Sequence, residues 1–256
     1  MNSKISMIGT GNWGKILIQK FHQLGGLHLV YGHQNRALLE PLHPRFTEDI
    51  DELIEESDAV IVATPSETHA ELGKRVLSAK KDLFIEKPIA LSSSEAKYVA
   101  QLADDSNLIL MVGHTLCYSR GYARLSELPG DVLSAHAKFL KTSTEEKHLN
   151  AYWNFGVHMV ALAVALNVEP ERLTLEASDQ APINQRTFEL RTQTREGKTH
   201  SLVWDFLAPE NREDMLMVEC QHFLECLRTR QRPRTDGWGG VQTIQMLEKI
   251  HPQQRK

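Results

Sequence analysis

The stretch Lys4-Ile5-Ser6-Met7-Ile8-Gly9-Thr10-Gly11-Asn12-Trp13-Gly14 decides the fold. It opens as a short β-favouring run and ends in a glycine turn. Behind it Trp13, Leu17, Phe21 and Leu24 recur at helical spacing, and Gly25-Gly26 stops the helix. Strand, glycine turn and helix at the head of a βαβ series is the setting in which Gly-x-Gly-x-x-Gly holds a dinucleotide. Gly9 permits the tight turn, Gly11 lets the backbone approach a pyrophosphate, and Gly14 lets helix and strand pack closely. The helix N-terminus offers N–H groups to the phosphates. Asn12 and Trp13 lie inside the turn and join the candidate cofactor set. The alternative is a glycine turn that merely connects two elements.

Working outward, Leu27–Tyr31 reads as a second strand. Thr47 is placed to cap a short helix through Ile50, Leu53 and Ile54. Residues 58–64 are nearly all apolar, as a strand buried on both faces should be, and Pro65 ends them. Ser66 is placed to cap a helix carrying Leu72, Val76 and Leu77. Leu83-Phe84-Ile85 is the next strand, closed by Pro88. Ser92-Ser93-Ser94-Glu95 is a capping box before Ala96, Val99, Leu102 and Ala103. Leu108–Val112 is a further strand, ending at Gly113-His114. Strands alternating with helices mean an α/β, Rossmann-type doubly wound parallel sheet. Ligands bind such sheets at the C-terminal ends of the strands, here residues 9–14, 32–36, 64–69, 86–88 and 113–118.

The second half has a different texture. Val132–Lys141, Leu173–Ala177, Thr187–Thr194 and Thr199–Phe206 read as strands, with a hairpin turn at Glu196-Gly197-Lys198. Trp153–Leu166 reads as a helix, and Asp214–Thr229 and Gly240–Ile250 as closing helices. The expectation is a compact α+β part with a mainly antiparallel sheet. The chain is expected to divide into a dinucleotide-binding part, 1–118, and a substrate-binding and oligomerisation part, 119–256.

Composition bounds the function. The 256 residues are 41% hydrophobic and 24% charged, close to a globular average. The net charge of −4 lacks the basic excess of a nucleic-acid binder. No apolar run reaches the ~18 residues of a membrane span. The N-terminus has no long apolar core followed by small residues, so no signal peptide is expected. Cys117, Cys220 and Cys226 are too scattered for a disulfide framework and read as structural thiols of a cytoplasmic protein. The histidines, His43 and His69 among them, show no metal-ligand spacing, and no metal is expected.

The acidic residue that holds a ribose 2′-hydroxyl about 20 residues after the turn is missing. The end of strand two reads Tyr31-Gly32-His33-Gln34-Asn35-Arg36, and no carboxylate follows until Glu40. Arg36, with His33 beside it, is free to meet a 2′-phosphate. The cofactor is expected to be NADP or NAD, with NADP favoured. The alternative is that Arg36 is a solvated helix-start residue.

Five segments now stand in order: Gly9-x-Gly11-x-x-Gly14, Ala63-Thr64-Pro65-Ser66-Glu67-Thr68-His69, Glu86-Lys87-Pro88, Trp153-Asn154-Phe155-Gly156-Val157-His158 and Pro233-Arg234-Thr235-Asp236-Gly237. Together they resemble the Gfo/Idh/MocA family of NAD(P)-dependent oxidoreductases over nearly the whole chain. The resemblance implies that Lys87 lies near substrate and nicotinamide, with Glu86 beside it and Thr64, Pro65 and His69 in the cofactor set. It implies a second element, an Asp followed four residues later by His; His158 matches the His, and Asn154 stands at the Asp position. Residues four apart share a helix face. His158 would then be the acid–base group and Asn154 a hydroxyl-binding residue, with the substrate hydroxyl between Lys87 and His158. Tyr118 and His114 are the further pocket candidates. The blander readings are a surface lysine for Lys87, a core histidine for His158, and packing for Tyr118 and His114.

The resemblance implies hydride transfer to or from a hydroxyl or carbonyl carbon of a sugar, polyol or sugar derivative, in a homo-oligomer. The competing class is a non-catalytic NAD(P)-binding sensor, which Asn154 in place of Asp and the short second part favour.

Overall fold

The computed structural model describes residues 3–42, 45–142, 150–211 and 213–251; His43, weighed above for metal spacing, lies outside them. The described residues form two compact units. The first is Met1–Gly113 with Leu216–Val241; the second is His114–Met215 with Gln242–Lys256.

In the first unit, β1 (Ile5–Ile8), β2 (Val30–Tyr31), β3 (Phe46–Thr47), β4 (Ala59–Val62), β5 (Asp82–Glu86) and β6 (Leu110–Gly113) make one parallel sheet in the order β3-β2-β1-β4-β5-β6. Every residue of β1, β4, β5 and β6 is buried, the pattern of strands covered on both faces. The strand order reverses at β1, between β2 and β4, where such sheets open a crevice. Between the strands run α1 (Asn12–Gln23), α2 (Arg36–Leu39), α3 (Ile50–Glu56), α4 (His69–Ser78) and α5 (Ser93–Asp105).

Three local details differ from the sequence reading. Trp13 does not join the buried stripe of α1, which is Gly14, Leu17, Ile18 and Phe21; it is 42% exposed. Thr47 does not cap α3. It ends β3, and the cap is Asp49, whose carboxylate accepts from the N–H groups of Asp51 and Glu52. An Asp one position before the helix reaches its orphan N–H groups better than a Thr still bound in a strand. Ser66 opens a 3₁₀ turn, Ser66–Thr68, with no side-chain cap. The Ser92 box forms as read, with Ser92 Oγ accepting from Glu95 N at 3.2 Å.

In the second unit, α6 (Arg120–Ser126) leads to β7 (Asp131–Thr142). A π-helical turn, Tyr152–Gly156, runs into α7 (Val157–Ala165), followed by β8 (Leu173–Ser178), β9 (Gln180–Gln193) and β10 (Thr199–Asp205). The sheet order is β10-β9-β7-β8. β9 is antiparallel to β7 and β10, but β8 is parallel to β7, so the sheet is mixed and mainly antiparallel. Among the described residues between β7 and β8 lie the π-helical turn and α7, as a parallel pairing requires of its connection. The expected hairpin closes at Gly197, whose φ of 85° suits glycine, with Thr194 N donating to Lys198 O. The buried face carries Ala135, Ala137 and Phe139 opposite Leu190, Phe188 and Arg186.

The last helices, α8 (Met215–Thr229) and α9 (Gly237–Ile250), were read with the second part. In the structure Leu216–Val241 packs into the first unit instead. Phe223 is fully buried and meets Phe21 and Phe84 edge-on, at 6.5 and 5.5 Å. Val112 N donates to Thr235 O at 2.8 Å, and Met111 bridges Asp236. Arg230 pairs with Asp82 and donates to Asn107 O. Helical periodicity shows only that α8 has an apolar face, not which sheet covers it. Phe223→Ala should therefore cost about 3–5 kcal/mol. Hydrogen exchange should show the lost protection in β4, β5 and α8 while β7–β10 keep theirs; equal loss in β7–β10 would contradict the assignment of this segment.

Candidate active site

The glycine turn is built on steric exclusion. Gly9 has φ 114°, and a Cβ there would lie 2.2 Å from the carbonyl oxygen of Ala63. A Cβ on Gly14 would lie 2.3 Å from the carbonyl oxygen of Gly9. Gly11 is different: a Cβ there would meet only the side chain of Gln34, at 3.4 Å. The first and third glycines are demanded by the protein itself. The second leaves its space open, as a backbone approached by a ligand should. Gly11 is the N-cap of α1 and supplies no side-chain acceptor, and no acidic residue lies in the first turn. A pyrophosphate fits this set of N–H donors and positive helix end. Asn12 is exposed beside it.

Trp13 points out of the turn and donates its Nε1–H to Glu86 Oε1 at 2.5 Å. Glu86 ends β5 and is 5% exposed. Its carboxylate also accepts from Lys87 N at 3.2 Å and fills the space where Gly113 has no Cβ. Burial pushes its carboxyl up to about 7, against the opposing pull of the Trp13 donor and the charge and N–H of Lys87. Lys87 follows at the strand end, part-buried, with a cis peptide to Pro88.

His69 takes a role the sequence reading did not give it. It is 1% exposed; its Nδ1 lies 2.7 Å from Pro88 O and its Nε2 2.9 Å from Thr64 O. Both ring nitrogens face protein carbonyls in the interior. It braces the end of β4 against the Lys87-Pro88 turn. Burial lowers its pKa, against the pull of the two carbonyls, so the ring is neutral and donates to one of them. Thr64 is part-exposed and Pro65 exposed at the same strand end, with Thr64 Oγ1 2.6 Å from Thr68 Oγ1.

At the end of β2, Gly32 packs against Thr10, and Asn35 donates to Thr10 O at 2.8 Å. Arg36 lies over the Phe46 ring and pairs with Glu48 at 2.8 Å; His33 lies 3.4 Å from the same carboxylate. The carboxylate missing from the strand-two end is thus supplied from the β3–α3 loop. A search at the usual spacing passes over Glu48, because strand pairing, not sequence distance, brings it there.

In the second unit, Trp153, Phe155, Gly156, Val157 and Met159 are buried, while Asn154 and His158 are part-exposed. The two expected partners lie at the junction of the π-helical turn with α7, not on one continuous α-helix. π-helical turns recur at functional sites. The rings of His158 and Phe139 stack at 5.7 Å. His114 and Tyr118 are 3% and 4% exposed, on and beside the short turn Thr115–Tyr118 that packs with α7. Both are buried in this unit.

Comparison with known proteins bears on residues 3–114 and on the fold. Residues 3–114 match the profile of the Gfo/Idh/MocA group, described as "Oxidoreductase family, NAD-binding Rossmann fold". An uncharacterized oxidoreductase of Streptococcus pneumoniae is 31% identical over 160 residues, 59% of this chain and 43% of its own length. UDP-N-acetylglucosamine 3-dehydrogenase of Acidithiobacillus ferrooxidans is 29% identical over 117 residues, 44% of this chain and 37% of its own. The matched stretch spans less than half of either relative. The solved structure of the Acidithiobacillus enzyme superposes with a TM-score of 0.82 at 19% identity, covering 98% of this chain and 97% of that one, which shows a shared fold. Residues 3–114 are therefore an NAD-binding Rossmann domain of the Gfo/Idh/MocA oxidoreductase family.

Proposed function

We propose that this chain is an NAD(P)-dependent oxidoreductase that moves a hydride between a nicotinamide and a hydroxyl- or carbonyl-bearing carbon of a sugar, polyol or sugar derivative. The observation that carries the reading is the Trp13–Glu86 hydrogen bond. It ties the glycine turn to the strand end whose next residue is Lys87. The backbone of Gly9, Gly11, Asn12 and Gly14 would hold the pyrophosphate, with Thr64 and Pro65 at the neighbouring strand end. When bound, the nicotinamide supplies the hydride acceptor or donor.

Lys87, as the neutral amine, takes the hydroxyl proton as the carbonyl forms, and the positive charge it so gains stabilises the oxygen losing that proton; in the reverse direction the ammonium returns it. Burial holds Glu86 partly protonated at neutral pH, so it offsets less of that charge than a full carboxylate would. His158 is the second acid–base group and Asn154 holds a substrate hydroxyl. The sugar class is supported by the family resemblance and by the sugar-nucleotide dehydrogenase among the relatives. Both NAD and NADP are admitted. Arg36 and His33 favour a 2′-phosphate, and Glu48 opposes it. A homo-oligomer belongs to the same reading, since the sheet of the second unit leaves Leu133, Ile183 and Val203 exposed.

Lys87→Met should abolish nicotinamide absorbance changes across a panel of sugars and sugar nucleotides while calorimetric NAD(P) affinity is kept. Wild-type turnover in that variant would refute the role of Lys87, and binding without turnover in the wild type would favour the sensor. Glu48→Gln should raise the ratio of NADP to NAD kcat/KM about fivefold, since an exposed pair is worth up to ~1 kcal/mol; an unchanged ratio would separate Glu48 from cofactor choice. Glu86 titrates near 7 when folded and near its ordinary 4.5 when unfolded. The folded chain therefore holds an extra proton between those values and loses stability as pH rises through them. In denaturant unfolding, the stability of Glu86→Gln relative to wild type should climb with pH across that window, by up to about 3 kcal/mol. A flat difference would contradict the buried, protonated carboxyl.

A further inference from the structure

Arg186 sits on the buried face of β9, in register with Phe139 on β7. Its guanidinium lies over the Phe139 ring, 4.1 Å from the centroid. Its Nε is sealed from solvent with no hydrogen-bond acceptor, and no carboxylate among the described residues pairs with it. On the same rings, Phe139 stacks with Phe155 at 5.2 Å and 12°, and the Lys141 ammonium lies 5.4 Å over Phe155. Lys141 also has no carboxylate partner among the described residues. Lys138, on the same strand, pairs with Glu176 at 3.0 Å. Two cations therefore flank one aromatic stack with no described counter-charge, and the stack's other neighbour is His158, 5.7 Å from Phe139.

A part-buried cation without an anion loses solvation, and a cation–π contact repays part of that cost. Burial holds the Arg186 guanidinium below its ordinary pKa, the direction of a cation short of negative charge. The guanidinium fork matches a carboxylate or a phosphate. The Phe139 ring is thus in contact with both Arg186 and His158.

We propose that Arg186, assisted by Lys141, recognises an anionic group on the substrate, so that this chain acts on sugars bearing a carboxylate or a phosphate. The inference rests on the oxidoreductase reading for the role of His158. The test is calorimetric titration of the full chain, saturated with NADP or NAD, with glucose, glucuronate and glucose 6-phosphate. At least one charged sugar should bind about tenfold or more tightly than glucose, and which one does so separates carboxylate from phosphate. Arg186→Met should erase that preference. Should the Met variant fail to fold by circular dichroism, Arg186→Lys carries the test; it keeps the charge but loses the fork, so its preference should fall between wild type and none.

Equal binding of charged and neutral sugars, or no saturable binding of either charged sugar, overturns the proposal. So does a preference that survives Arg186→Met, or one undiminished in Arg186→Lys. Nicotinamide absorbance, read in parallel, keeps the two readings apart. An anion preference without hydride transfer to or from any sugar overturns the oxidoreductase reading and leaves Arg186 its role. Turnover of glucose untouched by either Arg186 variant, with no anion preference, does the reverse.

Discussion

The carbonyl oxygen of Ala63, at the end of β4, lies where a Cβ on residue 9 would be, and the Gly9 carbonyl stands in the same relation to residue 14. This double close approach sets the start of α1. It brings the helix end directly onto β1 and β4, at the point where strand order reverses. Trp13 is then carried outward to Glu86, and through Glu86 the turn is joined to Lys87. A single side chain at Gly9 would push α1 off the sheet and break this chain of contacts. The open space at Gly11 has meaning only because its two neighbours are closed.

Electrostatics completes what sterics begins. A carboxyl sealed in the interior ordinarily seeks a full counter-charge. Glu86 has instead an indole donor, a backbone N–H and a lysine charge, which together do not offset its burial. It therefore keeps a proton near neutrality and remains responsive to its surroundings. His69 is the contrasting case: also sealed, but set between the carbonyls of Thr64 and Pro88, it serves rigidity.

Much of this was legible in the sequence. Alternating apolar runs and helical stripes gave the parallel sheet, because buried strands and amphipathic helices have distinct periods. The glycine spacing gave the turn, and the residue types at 154 and 158 gave two positions that the structure leaves part-exposed among buried neighbours. What escaped was non-local. Glu48 meets Arg36 through the pairing of β2 with β3, and β3, only two residues long, is too short to show a pattern. Arg186 falls just before the strand read at Thr187–Thr194, and only the observed register reveals that it faces the same side as Phe188 and Leu190. The π-helical turn at Tyr152–Gly156 has no periodic signature distinct from a helix.

The return of Leu216–Val241 to the first unit has a consequence for how the protein is made. A ribosome delivers β1 through β6 long before it delivers α8. Until then the surface of the nascent unit that will receive Phe223, to which Phe21 and Phe84 contribute, is bare. The second unit is interposed in the chain and emerges while the first still waits. The nucleotide-binding half is thus first to be translated and among the last to be completed, and a chain stalled before Phe223 would present an apolar surface to the chaperones of the cell.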